Sequence, residues 1–557
     1  MRFKPVLLLI AFGFLVYFNS LFNSFVWDDE EQIINNTLIH KITNISLFYT
    51  GSTFNTGGSG EMGGLYYKPF MTTVYSLIYA VSGANAFSFH FFQVSLHIIN
   101  AILVFYIFKF FLKKEIIALV LSLIFLIHPI NTESVVYIAA LQEPLFFFFG
   151  SLAFVFILQN RKGFIWSLLT GAVLLFSYLS KETGLVFLPI IFAYLIIFKK
   201  TKISFIVSTV VSLAVYVLLR FAVAGIYFNK HGLTSISNMD ILGRLMNIPQ
   251  IIFFYLKTFI FPKDLLIDQQ WTVSKISLSE FYLPLLGIFT VLAICIFLGL
   301  RLRKKHSSNF LTYFFFSIWF SVALGFHLQI FPLDLTVAER WFYLPIIGLL
   351  GMLGVISLNF RLLPAVILII IIALSVRTMV RNSDWQNGLT LYGHDIKISR
   401  PNFDLENNFG VELFRSGNYS EAKIHFENSV ELKPNWWTNW NNLGVVLEKE
   451  GNFENAKNAY KKALDKNSGY YLANENLARL LSFRGKPEEA KIQIEKSLQI
   501  LPQNPKLWLY LSIAEYKMSN LDSAKKDIAA AYFFDPANPE ISHVYQTLQQ
   551  NQPLKFE

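Results

Sequence analysis

Two adjacent carboxylates, Asp28 and Asp29, come directly after the apolar Phe25-Val26-Trp27. A carboxylate at such a boundary can act as general base toward a hydroxyl or hold a divalent cation. The plainer reading is the acidic start of a solvated loop, continued by Glu30 and Glu31. Other ionisable residues occupy the same kind of place, between apolar runs. Glu133 follows His128-Pro129, and Glu143 stands directly before Pro144. Glu143 also suits a favourable interaction with a helix N-terminus, and Glu133 an ordinary loop. Lys181-Glu182 and Glu339-Arg340 are short charge pairs, whose cations suit a phosphate or else a local ion pair. Near hydrocarbon such groups are costly unless paired or hydrated, which makes them functional candidates. His90, His97 and Asn100 share one helix face. A zinc site would need a further ligand, so this face reads as helix–helix hydrogen bonding. The chain carries no GxGxxG, P-loop, HExxH or GxSxG motif, which leaves nucleotide-driven transport and nicotinamide chemistry unsupported.

These residues need elements to hold them. Of the 557 residues 54% are hydrophobic and only 15% charged, whereas a soluble domain averages about 25% charged. That argues against both an ordinary soluble enzyme and a disordered chain. Apolar runs of spanning length fall near 5–23, 87–112, 115–130, 144–160, 163–180, 184–199, 203–224, 281–300, 309–327, 341–359 and 362–380. The runs 241–262 and 69–81 read as interfacial or re-entrant. Of the 47 Lys and Arg, 29 precede Pro401, against 17 acidic residues there. Arg2 and Lys4, Lys113-Lys114, Arg161-Lys162, Lys199 to Lys202, Arg301 to Lys305 and Arg361 mark every second loop. By the positive-inside pattern those loops and the N-terminus are cytoplasmic, and the basic excess is no nucleic-acid patch. The first span reads as a retained anchor. Every acidic candidate then falls in an outer loop, and eleven spans put the C-terminus outside. The single Cys295 excludes an internal disulfide.

After Pro401 the chain repeats with a period of about 34 residues. Gly417-Asn418-Tyr419, Gly451-Asn452-Phe453, Gly485-Lys486-Pro487 and Ser519-Asn520-Leu521 share one phase. So do Gly410, Gly444, Ala478 and Ser512, and likewise Ala422, Ala456, Ala490 and Ala524. Small residues let paired helices approach closely. The pattern resembles tetratricopeptide (TPR) repeats, and four of them cover 403–538. A capping helix and tail follow at 539–557. Residues 383–402 read as a linker with a degenerate second helix of a repeat. A TPR stack usually binds peptides in a groove. Trp436, Trp437, Trp440 and Trp508 are candidates to line it, although Trp440 and Trp508 share a packing phase.

Together the loop segments are similar to a known family. Phe25-Val26-Trp27-Asp28-Asp29, Tyr67-Lys68-Pro69, Phe89-His90, Leu96-His97-Ile98-Ile99-Asn100-Ala101, His128-Pro129-Ile130-Asn131-Thr132-Glu133, Ser180-Lys181-Glu182 and Ala338-Glu339-Arg340-Trp341-Phe342-Tyr343-Leu344-Pro345 occur in that order. They resemble the transmembrane-and-TPR O-mannosyltransferase family and its bacterial relatives. Where relatives often carry G-R-x-D, this chain has Ala140-Leu141-Gln142-Glu143.

The resemblance implies an all-α protein: a GT-C helical bundle of about eleven spans over 1–382, then an extracytoplasmic TPR solenoid. It implies sugar transfer, inverting, from a polyprenyl-phosphate donor to a hydroxyl of a protein acceptor. Asp28 or Asp29 would be the base, with Lys181 and Arg340 at the donor phosphate. Glu133, Glu143, Glu182, Glu339 and His97 would support them. A divalent ion at Asp28, Asp29 and Glu133 is compatible with these residue types but not required. The expected partners are the lipid-phosphate sugar, a peptide in the TPR groove and membrane lipid. The location would be a bacterial inner membrane or an endoplasmic reticulum. Two other readings stand beside this one: a non-catalytic membrane scaffold for envelope assembly, and transfer to a lipid or glycan.

Overall fold

The computed structural model describes the whole chain except residues 1–3, 56–61, 64, 160–162, 201–202, 228–233, 306, 359–363 and 556–557. Of the basic loop markers, Arg2, Arg161, Lys162, Lys202 and Arg361 lie outside the described residues. The chain divides into two units, Met1–Ser399 and Arg400–Glu557. Both are helical; among the described residues, strands are confined to the short pair Phe54–Asn55 and Met62–Gly63.

In the first unit a helix coincides with each expected apolar run. Among the described residues six are long and apolar enough to cross a membrane: Ala86–Leu112, Ile138–Leu158, Ile203–Val223, Leu278–Lys305, Ser308–Gly325 and Pro364–Asp384. Lys4–Tyr17, Phe164–Ser180, Glu182–Ile197 and Pro345–Ser357 are apolar but shorter. A further pair, Glu115–Ile127 and Pro129–Val136, is bent by 50°. Among the described residues, length and composition therefore give six spans, or seven with the bent pair, and the four shorter apolar helices coincide with the remaining expected runs. Helices also form at Pro69–Ser82 and Ile241–Ile260, and neither is among the six.

The bend has a local cause. Pro129 cannot donate a backbone hydrogen bond, and the residue before a proline avoids helical backbone. His128 is accordingly extended, at φ −73° and ψ 126°. The last carbonyls of the preceding helix lose their helical partners and have no water to turn to inside a bilayer. Side chains from elsewhere replace them. Asn131 Nδ2 donates to Phe125 O at 2.8 Å, and Thr378 Oγ1 to Ile127 O at 2.7 Å. Leu126 O receives the Tyr17 hydroxyl at 3.2 Å and His97 Nε2 at 2.9 Å. His128 Nδ1 accepts from Ile130 N at 3.2 Å, which leaves Nε2 to donate to Phe259 O at 2.9 Å. The break is thus locked, and it aims the turn carrying Glu133.

The helix Ala86–Leu112 presents a polar stripe, His90, Gln93, His97 and Asn100, on one face. Gln93 Nε2 donates to Ser134 O and Tyr137 O, both at 2.8 Å. Asn100 Nδ2 donates to Pro144 O at 2.9 Å and to the Tyr343 hydroxyl at 3.2 Å. His97 and Asn100 thus make the interhelical hydrogen bonds expected from the spacing, and Gln93 adds two more.

The second unit is four helix pairs. Phe403–Arg415 pairs with Tyr419–Leu432, and Trp437–Lys449 with Phe453–Lys466. Tyr471–Arg484 pairs with Pro487–Ile500, and Pro505–Lys517 with Leu521–Phe534. Pro539–Gln549 closes the stack through Ile541, Val544 and Leu548. The small-residue phase is explained by close approach. A Cβ on Gly410 would lie 2.8 Å from Phe426, and one on Gly444 would lie 2.5 Å from Tyr460.

A second periodic feature satisfies the carbonyl that ends each repeat. Trp440 Nε1 donates to Pro434 O, Asn474 Nδ2 to Ser468 O, Trp508 Nε1 to Pro502 O, and Ser542 Oγ to Pro536 O, all at 2.8–2.9 Å. Trp440 and Trp508 are thus packed and bonded within the stack, as their phase suggests.

Residues 383–402 differ from the sequence reading. The helix Gly388–Ile398 belongs to the first unit and not to the repeats. Asp395, fully buried, accepts from Arg381 Nη1 at 2.8 Å, Arg381 Nη2 at 3.2 Å and Ile267 N at 2.8 Å. Trp385 is buried beside it, and Gln386 O receives Ser24 N at 2.9 Å. A helical period alone cannot reveal this attachment, because a buried ion pair makes it.

Candidate active site

The first loop is pinned where it leaves the first helix. Asn23 Nδ2 donates to Asn382 O at 3.0 Å, and Asn382 Nδ2 to Val16 O at 2.9 Å. Trp27 then adopts a left-handed backbone, φ 53°, and stacks on Tyr137 at 5.6 Å and 16°. A bulky residue in that region is strained, and such strain persists only where surrounding contacts hold it. The turn sends the two carboxylates apart.

Asp29 is fully buried. Its Oδ2 accepts from Val26 N at 3.1 Å and its Oδ1 from Ala139 N at 2.6 Å. It therefore fastens the first loop to the turn at 137–140. Burial pushes its carboxyl well above the ordinary range, and the donating amides work against that push. Asp28 is half-buried. Burial raises its pKa, while the Tyr137 hydroxyl, Arg340 and Lys68 pull it down.

Around Asp28 the loop charges converge. Glu133, fully buried, accepts from Arg340 N at 2.8 Å and pairs with the Arg340 guanidinium. Glu143 and Lys181 form a second buried pair. Glu182, about one third exposed, lies 3.8 Å from Arg220 Nη1, which also donates to the Tyr216 hydroxyl at 2.9 Å. Arg340 feels both Glu133 and Glu143, so the first two pairs adjoin one another.

Four neighbours were not proposed as site residues from the sequence. Lys68 sits over the Tyr66 ring at 5.0 Å. It feels Glu182, Lys181, Glu143 and Arg340. Among the described residues no salt bridge pairs its ammonium, and burial pushes its pKa down. Tyr66 donates its hydroxyl to Asp334. Tyr137 flanks Asp28. The sequence signal for Lys68 was its place between Tyr67 and Pro69. Tyr137 and Asp334 carried none.

Two expected residues lie elsewhere. His97 is consumed by the bundle: Nε2 donates to Leu126 O, so Nδ1 accepts from the Tyr343 hydroxyl at 2.6 Å. Glu339 turns away from Arg340. Its Oε1 accepts from Leu266 N at 2.5 Å. Burial holds it well above the usual carboxylate range, although Arg381 opposes this. Adjacent residues on a short helical turn, Glu339–Phe342, point in different directions, which separates the pair.

A divalent ion fits this set poorly. Both oxygens of Asp29 are taken by backbone amides, and those of Glu133 by Arg340. Among the described residues no three His, Cys, Asp or Glu side chains gather as metal ligands. What the arrangement offers is a half-exposed carboxylate facing a dense, mostly paired set of cations.

Comparisons with known proteins agree with the sequence motifs. The tetratricopeptide repeat family model (TPR_2) matches residues 437–470. Protein O-mannosyl-transferase TMTC3 of Mus musculus is 25% identical over 478 residues, covering 78% of this chain and 52% of its own length. Protein O-mannosyl-transferase F38B6.6 of Caenorhabditis elegans is 25% identical over 460 residues, covering 78% of this chain and 63% of its own. The chain thus spans between about half and two thirds of the length of these two curated relatives. The resemblance drawn from the loop motifs is borne out over most of the chain. A solved structure of MamA, 19% identical, overlaps 27% of this chain and 86% of MamA with a TM-score of 0.25.

Proposed function

We propose that the chain is a multi-pass membrane glycosyltransferase that moves a sugar from a polyprenyl-phosphate donor to a hydroxyl of a protein acceptor. One observation carries the reading. Asp28, Lys68, Glu133, Glu143, Lys181, Glu182 and Arg340, from five separate segments, gather in one charged cluster within a helical unit rich in apolar spans. Similarity to protein O-mannosyl-transferases supports the reaction class. The reacting face is extracytoplasmic, with the N-terminus cytoplasmic. The membrane is a bacterial inner membrane or an endoplasmic reticulum.

In the proposed step Asp28 takes the proton of the acceptor hydroxyl. The acceptor oxygen forms a bond to the anomeric carbon as the bond from that carbon to the phosphate oxygen breaks. The sugar inverts, and the lipid phosphate leaves with the electron pair. Asp29 is fully buried with a backbone N–H on each oxygen, out of reach of an acceptor hydroxyl, and is a positioning residue. Arg340 and Lys181 are each matched by a buried glutamate, so they present fixed dipoles more than net charge. Lys68 supplies the unmatched positive charge for the leaving phosphate. Such preorganised groups in a dry site often contribute most of the catalysis, about 10²–10³ in rate for each. The TPR unit recruits the acceptor.

The test is transfer from synthetic polyprenyl-phosphate mannose to envelope-protein peptides, comparing wild type with Asp28→Asn. Transfer that disappears in the variant supports the reading, and equal transfer by both rejects the site. The second reading, a non-catalytic scaffold, is favoured by the missing arginine at Ala140-Leu141-Gln142. It predicts no transfer of any polyprenyl-phosphate sugar.

A further inference from the structure

Arg220 lies within the apolar span Ile203–Val223 and is buried. An arginine in such a place is costly unless paired, and is a functional candidate by default. The helix Ile203–Val217 widens there into a π-helical turn, Leu218–Val223, closed by Ala224 N donating to Leu219 O at 2.9 Å. Turns of this kind are rare interruptions of α-helices and recur at functional sites. Arg220 bonds back to the hydroxyl of Tyr216, one turn earlier. The Tyr216 ring meets those of Tyr67 and Tyr178, at 6.4 Å and 5.9 Å. Tyr67 precedes Lys68, and Tyr178 lies on the helix that ends at Ser180, directly before Lys181. The wide turn thus delivers Arg220 to the two lysine-bearing segments of the charged cluster.

The charges of that cluster divide differently with and without it. Arg340 is matched by Glu133, and Lys181 by Glu143. Glu182 faces both Lys68 and Arg220, and makes its salt bridge with Arg220. Glu182 also stands first among the anions that Lys68 feels. Asp28 feels Lys68 as well, but draws on Tyr137 and Arg340 before it. One carboxylate between two cations leaves one positive charge over. That charge falls to Lys68, which is half-buried, whereas Arg220 is buried. Without Arg220, Glu182 would turn to Lys68, because opposite charges in a poorly hydrated site attract strongly. A lysine so paired offers a ligand a dipole in place of a charge.

We propose that Arg220 is a positioning residue for the lipid-phosphate site: it occupies Glu182, and so leaves the Lys68 ammonium free to bind the phosphate. Arg220 itself does not touch the phosphate. The proposal rests on the reading above only in that the ligand is a lipid phosphate held by Lys68.

The probe is farnesyl phosphate, titrated against the full-length protein in detergent by calorimetry, with farnesol as the control that lacks the phosphate. Lys68→Met is expected to weaken binding by about tenfold to 100-fold, the worth of one bond to a charged group. Arg220→Met is expected to weaken it as much. Adding Glu182→Gln to Arg220→Met removes the anion that captures Lys68, and is expected to restore wild-type affinity within about threefold. Lys68→Met with Arg220→Met is expected to match Lys68→Met alone within about twofold, because both act on the same charge. A purely structural Arg220 gives no recovery with Glu182→Gln, and an Arg220 that touches the phosphate gives additive losses. Either result overturns the proposal, as does wild-type binding by Arg220→Met, equal binding of farnesol, or no binding by wild type. If Arg220→Met does not fold, the double variant, which removes both charges of the pair, carries the test. Its affinity near wild type then supports the proposal, and weak binding overturns it. Binding that follows the expected pattern in a protein that transfers no sugar overturns the transferase reading alone.

Discussion

Asp28→Asn and Asp29→Asn are chemically identical changes with opposite expected consequences. Asparagine has one acceptor oxygen where Asp29 uses two, for Val26 N and Ala139 N. Its –NH₂ must face one of those N–H groups. One buried bond to a charged acceptor is lost, worth about 1.5–3 kcal/mol, and an unmatched buried donor adds about 1–3 kcal/mol. Removing a buried charge returns part of this, which leaves a net loss of about 3 kcal/mol. For the unit Met1–Ser399, an unfolding entropy of about 2.1 cal/mol/K per residue converts that loss to about 3–4 °C. Asp28 accepts no backbone N–H among the described residues and is half-buried, so Asp28→Asn is expected to melt within about 1 °C of wild type. Its transfer rate is expected to fall about 10²–10⁴-fold, the usual contribution of a general base. The assay is tryptophan-fluorescence melting in detergent, alongside transfer from polyprenyl-phosphate mannose. An Asp29→Asn protein that melts with wild type, or an Asp28→Asn protein that keeps wild-type transfer, would refute the division of labour.

Other outcomes follow from the same geometry. kcat/KM should fall as pH drops through the Asp28 pKa, which burial sets above the ordinary carboxylate value. Lys68→Met removes a cation that lowers it, so the acid limb of the pH–rate profile should move to higher pH. A chain ending at Ser399 should keep donor hydrolysis and show a raised KM for protein acceptors, read by single-substrate kinetics. A chain ending at Arg381 loses Asp395 and leaves a buried guanidinium unpaired; it should be less stable than the longer truncation by about 3–5 kcal/mol, read by thermal melting. Gly444→Ala drives a methyl into Tyr460 and should destabilise the repeat unit by about 1–3 kcal/mol in denaturant titration.

The repeats were legible because their signal is local and recurs: a small residue where two helices touch, at one spacing throughout the unit. The apolar helices were legible for the same reason: among the described residues a helix coincides with each expected run, Lys4–Tyr17 and Pro345–Ser357 being among the shorter ones. Within the site, residue types at loop positions identified most of the charged cluster. Sequence could not separate Asp28 from Asp29, because the difference lies in two backbone amides, one of them 110 residues away. It could not show that Glu339 and Arg340 face different neighbours, or that Gly388–Ile398 is tied down by Asp395. Each of these depends on a long-range polar partner, which no local period encodes.

The carbonyl that ends each repeat is satisfied by whatever side chain stands six residues on: tryptophan, asparagine, tryptophan and then serine. The junction therefore asks for a donor, and not for a particular residue. A duplicated or deleted block of about 34 residues brings its own donor and its own acceptor, so no polar group at the seam loses its partner. An array built this way can lengthen or shorten by recombination, and its junctions can drift in sequence. Its individual units then become hard to detect one at a time, while the stack they build stays the same.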